Sequence, residues 1–265
     1  MKISQMSYSR AIIGIALLAL IVIVTLLLFG FRLGSGLSIQ APGTLLLTVP
    51  LAQSEVYLDG SKETQTVKDN EVVRFDRLSA SLHTVVVSKT NFWPWKKDVT
   101  VKSNETLSRT SFLLPQSVSG SKITGADPEY ERIKEIVESN ISPTFSNKIT
   151  SPDKSVSVWL EGNTLFAEWL KSADSRPDYF CKSEGCDSSL IVLQSGKPIR
   201  SVAFYKDNHD LLIVSLSDTI AVIDLNPYGT QNFQPLYKGT SPLFALSGHN
   251  SLFVIDQSSL LEIEI

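Results

Sequence analysis

The chain has 265 residues, with 24 Lys and Arg against 27 Asp and Glu and a formal net charge of −3. The segment 1–32 contributes Lys2, Arg10 and Arg32 and no acid, which leaves −6 for the remainder. A mildly acidic body of this length has room for two modest cores and argues against nucleic acid or an anionic lipid surface as partner.

Residues 1–10 form a short basic tail, too short to fold. The run that follows at 11–31, AIIGIALLALIVIVTLLLFGF, carries no charge. As a helix it would be roughly 31 Å long, against a hydrocarbon core of about 30 Å. No polar face exists for a buried amphipathic helix. Lys2 and Arg10 precede the run, and after Arg32 no Lys or Arg follows until Lys62. The positive-inside bias therefore predicts a single-pass plasma-membrane signal anchor, with its N-terminus cytoplasmic and the bulk of the chain extracytoplasmic. The alternative is a cleaved secretory signal, whose apolar region is normally about 7–15 residues with an A-x-A-like cleavage site. Here the run is longer, and only Gly34-Ser35-Gly36 offers such a match. Residues 32–42 read as a Gly/Ser/Pro spacer.

From residue 43 onward, short apolar runs alternate with turn residues: 43–50, 55–60, 72–78, 82–90, 98–103 and 106–115. In EVYLDG, Val56 and Leu58 alternate with Glu55, Tyr57 and Asp59, and Asp59-Gly60 is a hairpin signal. Period-two alternation without a helical stripe predicts a small β-sandwich over 43–115. The stretch resembles a PEGA domain, a small surface-exposed β module of envelope proteins. The resemblance rests on the strand ending at Pro50, on EVYLDG, on LHTVVVSKTNFWPW (82–95) with Lys89, Pro94 and Trp95, and on the closing strands in 96–114. Pro50-Leu51-Ala52-Gln53 replaces the tetrapeptide that names the family, and Ser81 or Leu82 stands where it carries glycine. Phe92, Trp93 and Trp95 have two readings: a stacking platform for a sugar, or Trp95 plugging the core while the other two frame the turn at Pro94.

Residues 116–127 are Ser/Gly-rich and read as a linker. A docking helix is expected over 128–140, with Asp127 as N-cap, Pro128 in the first turn, and Tyr130, Ile133, Ile136 and Val137 on one stripe. Asn140-Ile141-Ser142-Pro143 ends it.

Within 146–265 three stretches, 149–170, 204–225 and 246–265, each give a polar turn, a strand, a short turn and a second strand. Their turn centres, Asp153, Asp207 and His249, recur at a spacing of roughly 40–55 residues, close to one propeller blade. Ser151-Pro152-Asp153-Lys154 resembles the S-P-D-G turn of beta-propeller repeats of the WD40 or translocation-protein type, and Asp218 and Asp224 bracket a strand like the inner-blade pattern. This length suffices for about two and a half blades, whereas a closed ring takes at least about four. An incomplete β-propeller-like domain is therefore expected. Its terminal strand LEIEI would leave an edge open to self-association.

Cys181 and Cys186 lie in a C-x4-C spacing. In an exporting compartment this reads as a disulfide pinning a hairpin tip. Two free thiols are the next reading, and metal binding would need further ligands beside scattered His83, His209 and His249. No metal or cofactor site and no catalytic residue is predicted. There is no G-x-S-x-G, H-E-x-x-H or phosphate loop, His209-Asp210 stands in a repeat turn, and Glu262 and Glu264 share one strand face. Asn104-Glu105-Thr106 fits a glycosylation sequon. The whole is expected to be mainly β: an anchor helix, a small sandwich, one linker helix and an incomplete propeller. The role expected is non-enzymatic, structural, adhesive or wall-polymer-binding, with an envelope sensor or accessory subunit that binds a protein partner through sheet edges as the alternative.

Overall fold

The computed structural model describes residues 3–33, 39–140, 143–144, 146–182, 185–206, 208–248 and 250–265. The expectations placed on Gly34-Ser35-Gly36, on Ile141-Ser142 and on the turn centres Asp207 and His249 lie outside the described residues. The fold is mainly β, and the chain divides into two compact units: Met1–Val87 with Asp98–Phe112, and Ser88–Lys97 with Leu113–Ile265.

The first unit opens with α1 (Ile3–Leu28). Side chains of α1 are described from Ile12, a stretch shorter than the about 20 residues that a crossing takes, and its large apolar groups are exposed. Among the described residues no helix is long and apolar enough to cross a membrane. A short pair, β1 (Arg32–Leu33) and β2 (Ile39–Gln40), follows. Next come β3 (Gly43–Val49), β4 (Glu55–Leu58), β5 (Ser61–Gln65), β6 (Glu71–Leu78), β7 (Leu82–Ser88), β8 (Trp95–Thr100, of which Trp95 to Lys97 belong to the second unit) and β9 (Thr106–Thr110). They form a three-stranded sheet in the order β6-β3-β9 and a four-stranded sheet in the order β5-β4-β7-β8. In the smaller sheet β3 runs antiparallel to β6 and parallel to β9.

Burial in these strands follows the sequence pattern. Leu45, Leu47 and Val49 of β3 are fully buried while their neighbours are not, and Val56, Leu58, Phe75, Val85 and Val87 extend the same core. Asp59 and Gly60 both have positive φ, the geometry of a two-residue primed turn, and join β4 to β5 with Leu58 opposite Ser61. The exposed polar strand β5 had no apolar alternation to announce it.

The second unit holds β10 (Gly120–Ile123), α2 (Tyr130–Glu138), β11 (Ile149–Thr150), β12 (Val156–Glu161), β13 (Thr164–Trp169), β14 (Cys181–Lys182), β15 (Gly185–Cys186), β16 (Ser189–Gln194), β17 (Ser201–Phe204), β18 (Leu211–Ser215), β19 (Thr219–Asp224), β20 (Phe233–Lys238), β21 (Leu243–Ser247), β22 (Ser251–Asp256) and β23 (Ser259–Glu264). Three four-stranded antiparallel sheets result: β11-β12-β13-β16, β17-β18-β19-β20 and β10-β23-β22-β21. Val158, Leu165 and Val192 of the first sheet share one apolar cluster with Val202, Leu212, Val214 and Ile223 of the second. All five residues of β18 are buried, as are the last five of β19, so this middle sheet is covered on both faces.

Three expectations are corrected here. The segment read as a linker contains β10, which pairs along its length with β23 from Gly120 opposite Ile263 to Ile123 opposite Leu260. The terminal strand is consequently paired on both sides, by β10 and β22, and is not an open edge. Asp127 does not cap α2. Its carboxylate accepts from the Thr124 N–H at 2.6 Å and the Thr124 hydroxyl at 3.0 Å, closing the preceding turn, and α2 starts three residues later. Of the predicted stripe, Ile133 and Val137 are buried and α2 lies against β21 and β22, whereas Ile136 is partly exposed.

Candidate functional site

Within the second unit a cleft of ≈ 720 Å³ opens between α2 and the outermost strands β11, β17 and β21 of the three sheets. Consecutive residues of each strand line it: Ile149 and Thr150, Val202 to Phe204, Ala245 and Leu246. A strand face would contribute every second residue. The cleft is therefore bordered by strand edges, with their backbone groups. Ile136 and Leu246 add apolar surface that is 38% and 43% exposed. Asn140 is fixed beside it by donating from Nδ2 to the Phe244 carbonyl at 2.7 Å. Lys206 is the one cation among the described lining residues, and none of them is acidic. It takes a positive φ, and its Nζ lies 5.2 Å from the centre of the Tyr205 ring, whose phenol is pushed up to about 12 by burial. Such a site suits an apolar, extended segment carrying a negative group.

The repeat turns build a second cluster. Ser151 and Ser155 hydroxyls both donate to Asp153 Oδ1 at 2.7 Å, and the Ser155 N–H adds a third bond at 3.1 Å. Burial pushes the Asp153 carboxyl up, but these hydrogen bonds and nearby His209 hold it far below the usual carboxylate range. His209 Nδ1 lies 3.2 Å from Asp153 Oδ2, and its Nε2 3.5 Å from Asp210 Oδ2. Tyr179 donates its hydroxyl to Asp210 at 2.5 Å. His209-Asp210 is thus no isolated pair. It is clamped to the turn of the preceding repeat, far upstream in the chain, with its carboxylates already engaged. Among the described residues no three metal-ligating groups come together.

The first unit contains a serine–histidine–aspartate cluster that sequence reading missed. Buried His83 places Nδ1 2.7 Å from Asp59 Oδ2 and Nε2 3.3 Å from the hydroxyls of both Ser79 and Ser81. The geometry defeats catalysis, because Nε2 sits closer, at 2.9 Å, to the Ser79 carbonyl, which can only accept. The ring ties the turn at 79–81 to Asp59 and is not placed to draw a proton from serine. Burial pushes the Asp59 carboxyl up, and the bonds from His83 and the Thr84 N–H outweigh it, leaving it lowered.

The predicted aromatic residues do not form an exposed platform. Trp95 is buried at 2% exposure, and half-buried Trp93 donates from Nε1 to the Pro235 carbonyl at 3.1 Å. Phe92 is half-buried, with Lys89 Nζ 5.5 Å from its ring centre. Aromatic surface lies elsewhere in the second unit, where Phe166, Ile191 and Tyr228 line a pocket of ≈ 400 Å³. Phe166 stacks on Trp159 at 5.4 Å. Phe166 and Tyr228 come from β13 and from the turn after β19, so no local motif joins them. Cys181 and Cys186 are disulfide-bonded across β14 and β15. Glu262 accepts from the Ser247 and Ser251 hydroxyls and Glu264 from that of Ser119, so both serve the third sheet.

No protein-family model and no curated protein matches the chain. Among solved structures, it is similar to a candidate membrane-associated protein of unknown function from Bacteroides fragilis at 11% identity and a TM-score of 0.22, over 85% of this chain and 98% of that one. A candidate carbohydrate-binding protein from Bacteroides uniformis matches at 12% identity and a TM-score of 0.22, over 81% and 99%. Likeness at that level carries no argument about function.

Proposed function

We propose that this chain is a membrane-anchored, extracytoplasmic, non-enzymatic binding protein that takes an extended segment of a protein partner in the cleft of its second unit. The anchor is the apolar run 11–31, with Lys2 and Arg10 on its cytoplasmic side. The first unit serves as a PEGA-like sandwich stalk, and the second is propeller-like, three four-stranded blades with β10 completing the last. The observation that carries the reading is the convergence of three strand edges on one cleft, beside a β23 covered by β10. Edges left unpaired by neighbours are templates for a partner strand. Leu246, Phe204 and Lys206 supply the apolar and cationic contacts for alternate side chains of that segment.

The test selects phage-displayed peptides on the full-length protein in detergent and measures their affinity for the wild type and for Leu246→Arg. Selected peptides should be apolar with an acidic residue, and the variant should bind them at least about tenfold more weakly, or about 1.4 kcal/mol. Equal binding to both proteins overturns the cleft. Protease added to intact spheroplasts should digest the region after residue 42, and protection of that region overturns the topology.

A second reading, binding of a wall polymer, is favoured by Tyr228, 42% exposed beside Phe166. Aromatic faces stack on sugar rings, so Tyr228→Ala should then reduce retention on purified cell wall while Leu246→Arg leaves it intact.

A further inference from the structure

Lys97 and Asp224 meet inside the second unit, 127 residues apart in sequence. Lys97 is 3% exposed and Asp224 7%. Lys97 Nζ donates to Asp224 Oδ2 at 3.1 Å and to the Asn226 carbonyl at 2.9 Å. Asn232, also buried, donates from Nδ2 to the same Oδ2 at 2.9 Å and from its N–H at 3.5 Å. The other carboxylate oxygen, Oδ1, is buried without a hydrogen-bond partner. An ammonium and a carboxylate removed from water, with one oxygen unsatisfied, form a costly arrangement.

We propose that Lys97 and Asp224 condense to form an amide cross-link within the second unit. Burial pushes the Asp224 carboxyl up against the opposing pull of Lys97. A proton passed from Nζ to the carboxylate along their 3.1 Å hydrogen bond gives the amine and the acid that react. The Nζ lone pair attacks Cγ of the protonated carboxyl, and the bond from Cγ to Oδ1 breaks. Oδ1 leaves as water with the carboxyl proton and one amine proton, and nothing is oxidised or reduced. The new amide keeps one N–H for the Asn226 carbonyl. Its carbonyl oxygen, the former Oδ2, still accepts from Asn232. The product thus removes two buried charges and the one unpaired oxygen, while the bonds to the Asn226 carbonyl and from Asn232 Nδ2 keep their partners. Holding amine and carboxyl in one fixed geometry replaces an encounter by a unimolecular step. Asp224 is taken as the electrophile and not Asn232, because Nζ of Lys97 is bonded to the Asp224 carboxylate, to which Asn232 Nδ2 donates.

Mass spectrometry of the reduced full-length chain, purified in detergent, tests this directly. The chain should be lighter than its sequence by one water, and tryptic digestion should yield a branched peptide joining positions 97 and 224. Lys97→Met and Asp224→Ala should each restore the full sequence mass. The proposal is overturned by a full-mass wild type cut by trypsin after Lys97. It also fails if a linear peptide has lost water at Asp224 alone, or if a loss of ammonia maps to Asn232.

Discussion

The first unit and the middle sheet of the second solve the burial of a sheet in different ways. Strand β3 of the first unit hides Leu45, Leu47 and Val49 and leaves Leu46 and Thr48 partly open. Strand β18 of the second hides Leu211, Leu212, Ile213, Val214 and Ser215 alike. A sheet covered on one face needs an alternating sequence, whereas one covered on both needs a continuous apolar run. The difference implies that a given change costs β3 at every second position and β18 at nearly every position, whereas β13 and β16 of the second unit alternate as β3 does.

Alanine substitution of adjacent residues is the strongest way to break that comparison. Leu212→Ala and Ile213→Ala should each cost about 2–5 kcal/mol, since both side chains are fully buried. In the first unit Leu47→Ala should cost as much, but Leu46→Ala under about 1.5 kcal/mol, as its side chain is only partly buried. The units can be followed separately in urea. Trp159 and Trp169 lie on β12 and β13 of the second unit, so with Trp93 and Trp95 replaced by Phe, fluorescence reports that unit while circular dichroism reports both. Equal losses at Leu46 and Leu47 would abolish the contrast.

Glycine contacts probe each unit at a close approach of backbones. A Cβ on Gly120 would lie 2.6 Å from the Glu262 carbonyl and 2.8 Å from Ile263 Cγ2. Gly120→Ala should therefore push β10 off β23, cost about 1–3 kcal/mol and, by uncovering β23, promote self-association. In the first unit a Cβ on Gly43 would meet Val101 Cγ1 at 2.5 Å. Gly43→Ala should carry a similar penalty but leave the state of association as in the wild type, read by light scattering beside the unfolding curves. Aggregation of both variants alike would mean that β10 does not guard the edge.

The disulfide and the Asp153 turn belong to the second unit alone. Reduction of Cys181–Cys186, five residues apart, should lower the fluorescence transition by at most about 2 kcal/mol. Nothing in the first unit should respond. Asp153 is held below its ordinary value in the fold, so its contribution is present above the unfolded carboxyl value near about 3.9 and is lost as pH falls through the lower folded value. Acid titration followed by fluorescence should show this loss, and Asp153→Asn should flatten it.

What could be read in advance was local. The alternation of 43–49 and the Asp59-Gly60 turn each depend on neighbours in sequence, and both strand and turn stand where the pattern put them. Partners chosen across long distances left no such trace. Strand β10, GSKI, has no apolar rhythm, and it is a strand because β23 lies beside it. His83 finds Asp59 and His209 finds Asp153 only once the chain has folded. One signal was available and unused. Period two from Trp95 to Val99 puts Lys97 in the buried phase of β8, and a lysine there needs an acidic partner somewhere.

The smallest expected effect lies in the left-handed turn residues that both units contain. The first unit has Gly60 at a φ of +83° beside Asp59 at +50°, and Arg77 at +58°. The second has Gly162 at +58°, and lysines in the same region: Lys154, after Ser151-Pro152-Asp153, at +57° and Lys206 at +53°. A left-handed L-residue costs roughly 1–2 kcal/mol, and glycine gives part of that gain back through the freedom it adds to the unfolded chain. Lys154→Gly should therefore stabilise the second unit by under about 1 kcal/mol, because the hydrogen bonds of Ser151, Asp153 and Ser155 do not involve the lysine side chain. Gly60→Ala should destabilise the first unit by about as much. If Lys154→Gly instead lowers the melting temperature, the long lysine stem is packing on the turn, and the backbone strain is not what limits it.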